Sequence, residues 1–430
     1  MKTISLILIG LVVLSSLSST VYAAKTNTTS NTGTTYRAVI VGVSDYPGTN
    51  KDLTTPVKNA LAIQSCLERG SNRYLIKRLT DSDATVKNVV SKLDWLKNNA
   101  DENDVSVFYY CGHGTQRDTI NYEQEGDSSD ECFSLYDGIL RDDEFVDKLL
   151  SIKGIVFVIL DCCKSAGFQD DLSYRYEQDM MKLWKKSKVF LISAFDENQL
   201  HYENLLLGYG ILSFHIIGSL STDPNGDGKI TIDEVYMLAQ ENFEKAKNVF
   251  DIGYQGGLNI YPPRGTCYYY DFMDTAIVKD FKNKSPEVLE FVVPEKSRKN
   301  CEIKLKLREP DKGKMRVFVY WGDGEGEWFN GPYHDYEEVT FSHVYQTYKK
   351  YKISVVVGDE YGSVSTWKTK ETSIENKNKG SFFLNNHHVF AGKNGVSRVV
   401  TRGVILNKII TSNVSNKVTD GNDYSQLKIM

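Results

Sequence analysis

The sequence has no surplus of basic residues, no long apolar segment after its N-terminus and no dense set of cysteines. Its 51 lysines and arginines are outnumbered by 56 aspartates and glutamates, which gives a formal net charge of −5. This balance gives no indication of nucleic-acid binding. Beyond residue 24, no segment approaches the ~20 apolar residues that a membrane-spanning helix needs. No internal repeat is evident either.

The cysteines are few and odd in number. Seven cysteines in 430 residues do not make the dense, even framework of a small disulfide-rich protein. In an exported chain, an odd number of cysteines leaves at least one cysteine that is either a free thiol or bonded to another chain. Their positions are Cys66, Cys111, Cys132, Cys162, Cys163, Cys267 and Cys301.

What is present indicates a folded protein of more than one domain. Hydrophobic residues make up 41% of the chain and aromatic residues 12%, which is enough apolar material for a large core. A length of 430 residues predicts about two or three domains.

The N-terminus predicts secretion. Lys2 precedes the apolar stretch Ile4–Leu14, and small residues then lead to Val21-Tyr22-Ala23. This order is that of a signal peptide over residues 1–23, cleaved before Ala24. An uncleaved membrane anchor is the alternative. The Thr/Asn/Ser-rich stretch at 24–35 is expected to be a disordered leader, and the mature protein is expected to be extracellular without a membrane span.

Residues 36–265 alternate between buried-strand and amphipathic-helix patterns. Short apolar runs that predict strands lie at Tyr36–Val43, Val105–Cys111, Ile155–Leu160 and Val189–Ser193. Apolar residues at helical spacing predict helices at Pro56–Glu68, Thr85–Lys97 and Asp142–Leu150. This alternation predicts an α/β domain with a mainly parallel sheet and helices on both faces.

The C-terminal half has a different pattern. After a linker at 266–284, short strands separated by turn residues predict an all-β sandwich over 285–372. Residues 373–430 are expected to form a β-rich extension, with strands at Gly380–Phe390 and Ser397–Ile410, but their fold type stays open.

Two reactive side chains follow successive central strands. His113 lies two residues after the strand that ends at Cys111, and Cys163 lies just after the strand that ends at Leu160. Ligands of parallel sheets bind beyond the carboxyl ends of the strands. We therefore expect the imidazole and the thiol to meet at one edge of the sheet.

This pair suits nucleophilic catalysis. A thiol with a pKa of ~8.5 is mostly protonated near neutrality, and a nearby imidazolium stabilises the thiolate. The thiolate can attack a peptide carbonyl while the histidine protonates the leaving amine. The backbone N–H groups of Gly114 and Cys163 are the expected donors to the oxyanion.

Four segments resemble the metacaspases and prokaryotic caspase-like peptidases. The similarity spans Tyr36 to Pro263. It implies a caspase-like fold, endopeptidase activity and Cys163, not Cys162, as the nucleophile, with the histidine about 50 residues before it. The segments are YRAVIVGVSDYPG, VSVFYYCGHGTQ, DGILRDDEF and VFVILDCCKSAGF.

The resemblance also implies a specificity. Asp161 matches the family aspartate that lines the pocket for the residue before the cleaved bond, so Arg or Lys is expected there. Asp45 is a candidate second acid in that pocket, and a carboxylate that only caps a loop is the alternative for Asp161. The sequence departs from the family pattern at Lys164, at Ala166 and at Asn59. At the position of Asn59, family members commonly have an aspartate.

Self-cleavage is a further expectation. The region between Cys163 and the next strand is where related enzymes are cut during maturation, and it is rich in basic residues. They are Arg175, Lys182, Lys185, Lys186 and Lys188.

Residues 223–234 fit the calcium-loop pattern D-x-[DN]-x-[DN]-G-x5-E in full. Oxygen ligands at these spacings enclose Ca²⁺, and Gly228 makes the sharp turn. A structural calcium site is expected because only one such loop is present. A separate acidic stretch, Glu123–Glu131, resembles the activating calcium loop of some metacaspases, with a solvated loop as the alternative. The ligands predicted in 223–234 are Asp223, Asn225, Asp227, the Lys229 carbonyl and Glu234.

The C-terminal sandwich resembles PKD domains. Its WGDG turn begins at Trp321, its SH-x-Y strand at Ser342 and its V-x-D-x-x-G strand at Val357. Such domains serve as spacers or adhesion units, which implies contact with a surface or a protein. Two other functions stay open: a catalytically silent caspase-like scaffold, and a calcium-dependent adhesin that leaves the Cys/His pair unexplained.

Overall fold

All four strands predicted from buried apolar runs lie in one six-stranded sheet. The computed structural model describes residues 33–118, 129–176, 187–193, 202–250, 258–262, 272–376 and 427–429. The strands of this sheet are β1 (Tyr36–Gly42), β2 (Leu75–Thr80), β3 (Val105–Cys111), β7 (Gly154–Asp161), β8 (Ser187–Ser193) and β12 (Asn259–Tyr261).

The order across the sheet is β12-β8-β7-β3-β1-β2. The five strands from β8 to β2 run parallel, and β12 pairs antiparallel with β8 at one edge. Every residue of β1 and β3 is buried. Because successive side chains point to opposite faces of a sheet, both faces must be covered. The predicted α/β fold is confirmed.

Helices supply that cover. They are α1 (Pro56–Glu68), α2 (Val86–Asn99), α3 (Asp142–Ser151), α4 (Ile211–Ser219) and α5 (Ile232–Phe250), and residues 168–176 are also helical. Helix α2 packs beside α3, whereas α1 packs beside α4 and α4 beside α5. The three helices predicted from periodicity match α1, α2 and α3 within about two residues at each end.

Three small sheets surround the main one. One joins β4 (Gly114–Asp118), β5 (Ser129–Ser134) and β6 (Ile139–Arg141) directly after His113. A second joins β9 (Tyr202–Asn204), β10 (Tyr209–Gly210) and the C-terminal strand β22 (Leu427–Ile429). The third pairs β11 (Lys229–Thr231) with β13 (Ala276–Lys279).

The C-terminal domain consists of two sheets. One contains β14 (Glu287–Val292), β16 (Asn300–Arg308) and β19 (Glu338–Val344). The other contains β15 (Lys296–Ser297), β17 (Met315–Tyr320), β18 (Gly326–Tyr333), β20 (Lys350–Asp359) and β21 (Lys368–Ile374).

Inward residues of both sheets share one apolar core. Burial alternates along β16, where Cys301, Ile303, Leu305 and Leu307 point inward. This is the period expected of a strand with one face on a core. The additional β domain expected from the sequence is confirmed.

Several predictions fall on residues outside the described ranges. They concern the signal peptide, most of the leader at 24–35, the strands at Gly380–Phe390 and Ser397–Ile410, and the basic positions from Lys182 to Lys186. Among the described residues, no helix combines the length and the apolar character required to cross a bilayer.

Candidate active site

His113 and Cys163 follow two neighbouring strands, and each lies two residues after the last pair of residues that joins these strands. Strands β3 and β7 are parallel, and Cys111 pairs with Asp161 at their carboxyl ends. His113 comes two residues after Cys111, and Cys163 comes two residues after Asp161. The two residues therefore lie at the same edge of the sheet.

The turns that carry the two residues are in direct contact. Gly114 has no side chain, and a Cβ built on it would lie 1.9 Å from the carbonyl oxygen of Cys163 and 3.2 Å from its nitrogen. Any larger residue at 114 would push the Cys163 turn away from the His113 turn. Glycine at position 114 therefore allows the close approach of the two turns. The two N–H groups predicted to hold the oxyanion belong to these touching turns.

The His113 ring is oriented by a backbone carbonyl and a tyrosine. Its Nε2 lies 2.7 Å from the carbonyl oxygen of Lys51. Because a carbonyl only accepts hydrogen bonds, Nε2 carries a proton and Nδ1 is the nitrogen that can exchange one. The Tyr46 hydroxyl accepts from the His113 N–H at 2.8 Å, and the two rings lie 4.9 Å apart. Neither orienting contact was anticipated from the sequence.

The two adjacent cysteines, Cys162 and Cys163, are both buried. Cys162 is fully buried, and burial, followed by the neighbouring Cys163 and Asp161, raises the pKa of its thiol well above the usual value. Cys162 therefore stays protonated.

Lys164, directly after Cys163, has a φ of 63°. A left-handed backbone at a non-glycine residue costs energy and is characteristic of tight functional turns.

A cavity of about 470 Å³ opens beside His113. Its walls include His113, Gly114 and the aromatic or apolar side chains of Tyr46, Tyr136 and Ile139. The walls also include the polar or basic side chains of Lys51, Thr115, Arg117 and Ser134, so the cavity combines apolar and polar surface.

Asp161 is completely buried beneath the start of α4. Its Oδ2 accepts hydrogen bonds from the Ser213 N–H at 3.0 Å and from the Ser213 hydroxyl, and the Cys111 thiol lies 3.8 Å away. A carboxylate at the N-terminus of a helix is stabilised by the helix dipole. Asp161 thus contacts the first turn of α4 rather than a loop, and both the substrate-binding role and the capping alternative stay predictions.

The structure does not bring Asp45 to Asp161. The Asp45 side chain is exposed, and its N–H donates to the Asp81 carboxylate. Asn59 on α1 lies near Asp161 instead. With its amide nitrogen donating to the Thr55 carbonyl, Asn59 accepts from the Gly210 N–H at 3.1 Å. A pocket around Asp161 would therefore hold one acid and one amide.

The first half of the predicted calcium loop has the turns expected of such a site. Asp223 accepts from the N–H groups of Gly226 and Gly228, each at 2.8 Å. Asn225 and Asp227 each accept from the N–H two residues further on. Gly228 has a φ of 84°, which only glycine adopts readily.

The last ligand position, Glu234, has a different partner. Its Oε2 accepts from the Thr231 N–H at 2.9 Å, and Oε1 accepts from Asn225. This Thr-x-x-Glu arrangement is a capping box at the start of α5. In the described part of the chain, no three His, Cys, Asp or Glu side chains are arranged to hold a metal ion. Glu234 thus faces Thr231 and Asn225 in this structure, and calcium binding at 223–234 stays a prediction.

A buried acidic cluster, which the sequence did not reveal, lies near α3. Asp171, in the helical segment 168–176, is fully buried, and neither carboxylate oxygen has a hydrogen-bond partner among the described residues. Burial, and then the Asp143 carboxylate, raises its pKa to about 7. Arg175 partly offsets this effect. Asp171 is protonated in the folded protein at mildly acidic pH.

Replacing Asp171 with asparagine should stabilise the protein at pH 8. Because the folded pKa lies above the ordinary value of ~3.9, the contribution of Asp171 to stability falls as the pH rises from about 4 to about 7. An amide removes that cost, so we expect about 1–2 kcal/mol of added stability at pH 8 and little change at pH 4. The measurement is denaturant unfolding at both pH values with a chelator.

Glu144→Gln is the matched control, since Glu144 is an exposed acid in the first turn of α3. Its effect should stay within about 0.5 kcal/mol. A loss of stability at pH 8 in Asp171→Asn would contradict the interpretation.

Comparison with known proteins gives one family. The chain matches the family model of the caspase domain over residues 35–386. Metacaspase-4 of Arabidopsis thaliana is 33% identical over 147 residues, which cover 32% of this chain and 35% of the relative. Metacaspase-7 of the same plant is 30% identical over 193 residues, covering 42% and 48%. This chain thus spans less than half the length of each relative.

Among solved structures, the Drosophila initiator caspase Dronc superposes on 52% of this chain and 78% of its own. The TM-score is 0.32 and the sequence identity is 12%.

Proposed function

Because the chain belongs to the caspase domain family, we propose that it is a cysteine endopeptidase with Cys163 as nucleophile and His113 as acid and base. The observation that supports this assignment is the contact between Gly114 and the Cys163 carbonyl, together with the equal offset of both residues from the Cys111–Asp161 pair. A lone histidine or cysteine at a strand end is commonly structural, whereas two such residues in touching turns support the proposal of a catalytic pair.

The proposed reaction follows from the orientation of His113. Cys163 Sγ, as a thiolate, attacks the carbonyl carbon of the substrate peptide bond. The carbon–nitrogen bond breaks as His113 Nδ1–H gives its proton to the leaving amine. Water, which loses a proton to Nδ1, then hydrolyses the thioester and releases the acid. Throughout, the Lys51 carbonyl holds Nε2–H and fixes the ring.

A panel of fluorogenic peptides tests this function. The panel varies the residue before the cleaved bond among Arg, Lys, Asp and Leu. Hydrolysis after Arg and Lys supports the proposal, whereas no hydrolysis of any peptide, with and without calcium, would exclude it in favour of the silent scaffold.

Preference for Arg or Lys is proposed on the basis of Asp161. It is a buried acid two residues before the nucleophile, and a desolvated carboxylate selects a guanidinium or ammonium group strongly. Self-cleavage between Arg175 and Lys188 would follow from the same preference, and most of that segment lies outside the described residues.

Calcium binding at residues 223–234 is also proposed. Support comes from the spacing of oxygen donors and from the turns around Asp223, Asn225 and Asp227. Ile230, in the middle of the loop, is buried and pairs with Val278 of β13, so the loop is braced by a strand of the same domain. Bound calcium would neutralise the loop acids and tie the loop to α5.

Glu234→Gln should weaken calcium binding at least about tenfold, because a bidentate carboxylate ligand is lost. Glutamine can still complete the capping box with Thr231, so the fold should be retained. Isothermal titration calorimetry measures the affinity, and Asp233→Asn is the control for loss of a neighbouring acid. Absence of calcium uptake by the unmodified protein, or equal uptake by Glu234→Gln, would exclude the site.

Secretion, and contact with a surface or protein through the C-terminal domain, remain proposals. They derive from the residue pattern at 1–23 and from the resemblance of the C-terminal domain to PKD domains.

A further inference from the structure

Gly210, at the end of the segment Asn204–Gly210 that leads into α4, packs against the Asp161 carboxylate. A Cβ built on Gly210 would lie 2.5 Å from Asp161 Oδ2, and Asp161 has no exposed surface. Asn204 holds the turn of this segment, since it accepts from the N–H groups of Leu207 and Gly208. A basic side chain that approaches Asp161 from this side therefore requires Gly210 to move.

The C-terminal domain holds the segment in place. The Leu207 side chain is 2% exposed and belongs to an apolar cluster with members from both domains. The indole N–H of Trp328, on β18, donates to the Leu207 carbonyl at 3.2 Å. The cluster contains Leu207, Phe214, Ala246, Val249 and Phe250 from the α/β domain and Phe318, Val356, Val364 and Trp367 from the sandwich.

The Trp328 ring is itself fixed. The Arg316 guanidinium stacks over it at 4.2 Å, and the Phe318 ring lies 5.3 Å away. On the other side of the segment, Lys58 of α1 donates to the Gly208 carbonyl at 2.8 Å. Two consecutive carbonyls are thus held, one by each domain.

We propose that Trp328 is a specificity-determining residue, because its bond to Leu207 controls access of an Arg or Lys side chain to Asp161. This inference rests on the proposed peptidase function. The bond forms only while the segment is closed, so losing it favours the open form and makes substrate entry easier. The atoms that carry out catalysis are untouched.

Trp328→Phe tests the proposal because it keeps an aromatic ring and removes the N–H. The free energy of one neutral hydrogen bond corresponds to a change of about two- to tenfold in the ratio of open to closed forms. KM for an Arg-ending peptide should therefore fall by that factor, with kcat unchanged. The matched control is Trp367→Phe. Trp367 lies in the same cluster and is buried, and its indole N–H has no hydrogen-bond partner in the described part of the chain. The KM of Trp367→Phe for the same peptide should not change.

Hydrogen exchange provides a readout that does not need activity. The amides of Leu207 and Gly208 should exchange about two- to tenfold faster in Trp328→Phe than in Trp367→Phe. Equal exchange in the two variants, or an unchanged or raised KM in Trp328→Phe alone, would overturn the inference. If the unmodified protein cleaves no basic peptide, the proposed peptidase function fails instead, and the exchange result still decides whether Trp328 holds the segment.

Discussion

Replacing Cys163 with alanine is expected to lower kcat/KM for Arg- and Lys-ending peptides by at least about 10⁴-fold, because no other group can form the thioester. The neighbouring Cys162 is the natural control. It is fully buried and its pKa is raised, so Cys162→Ala should keep most of the activity. Initial rates at saturating and subsaturating substrate measure both variants.

Comparing Cys163→Ala with Cys162→Ala separates the loss of the nucleophile from a loss of packing. Alanine removes the same volume at either position, so a general packing defect would lower activity in both. Loss of activity in Cys162→Ala with activity retained in Cys163→Ala would reverse the assignment and, with it, the interpretation of the strand-end register.

Asp161→Asn is expected to lower kcat/KM for Arg- and Lys-ending peptides about 100-fold, because truncating one member of a buried charge pair leaves the other without compensation. Asparagine can still accept from the Ser213 N–H, so the start of α4 should be preserved. Activity on a Leu-ending peptide, where any is detected, should change far less. The measurement is kcat/KM across the same peptide panel.

Asp45→Asn is the control, since its side chain is exposed and does not contact Asp161. We expect its specificity to match that of the unmodified protein. A collapse of Arg and Lys cleavage in Asp45→Asn, with Asp161→Asn unaffected, would place the pocket elsewhere. Equal losses on Arg, Lys and Leu peptides would make Asp161 a helix cap only.

The sequence predicted the central strands well because burial on both faces makes them continuous apolar runs. Strand β2 was missed for the opposite reason. It is an edge strand with mostly exposed residues, and LIKRLT carries no clear period. Helix α4 was missed because all nine of its residues are buried, and a helix that is apolar all round shows no period of 3.6.

The strand-end positions of the proposed catalytic pair were predictable, whereas the surroundings of the pair were not. His113 and Cys163 are reactive side chains directly after strands, which is visible in a sequence. The Lys51 carbonyl is backbone, and no residue type reports where it points. Asn59 was noticed as a departure from the family pattern, but only coordinates place its amide against Gly210.

Contacts between distant segments were beyond the sequence as well. Trp328 and Leu207 are 121 positions apart, and neither position carries a motif. The resemblance to PKD domains predicted a spacer or an adhesion unit, and that role stays a prediction. The structure adds that the sandwich packs on α4 and α5 and donates a hydrogen bond to the Leu207 carbonyl. The interaction depends on burial of apolar side chains from both domains, which a pattern within one segment cannot show.

The most direct test of the Cys163–His113 pair is the rate of Cys163 alkylation by iodoacetamide as a function of pH, located by mass spectrometry. A thiol beside an imidazolium should react well below its ordinary pKa of ~8.5, and His113→Asn should move the reaction midpoint up towards that value. A profile that is identical with and without the imidazole would contradict the pairing of these two residues.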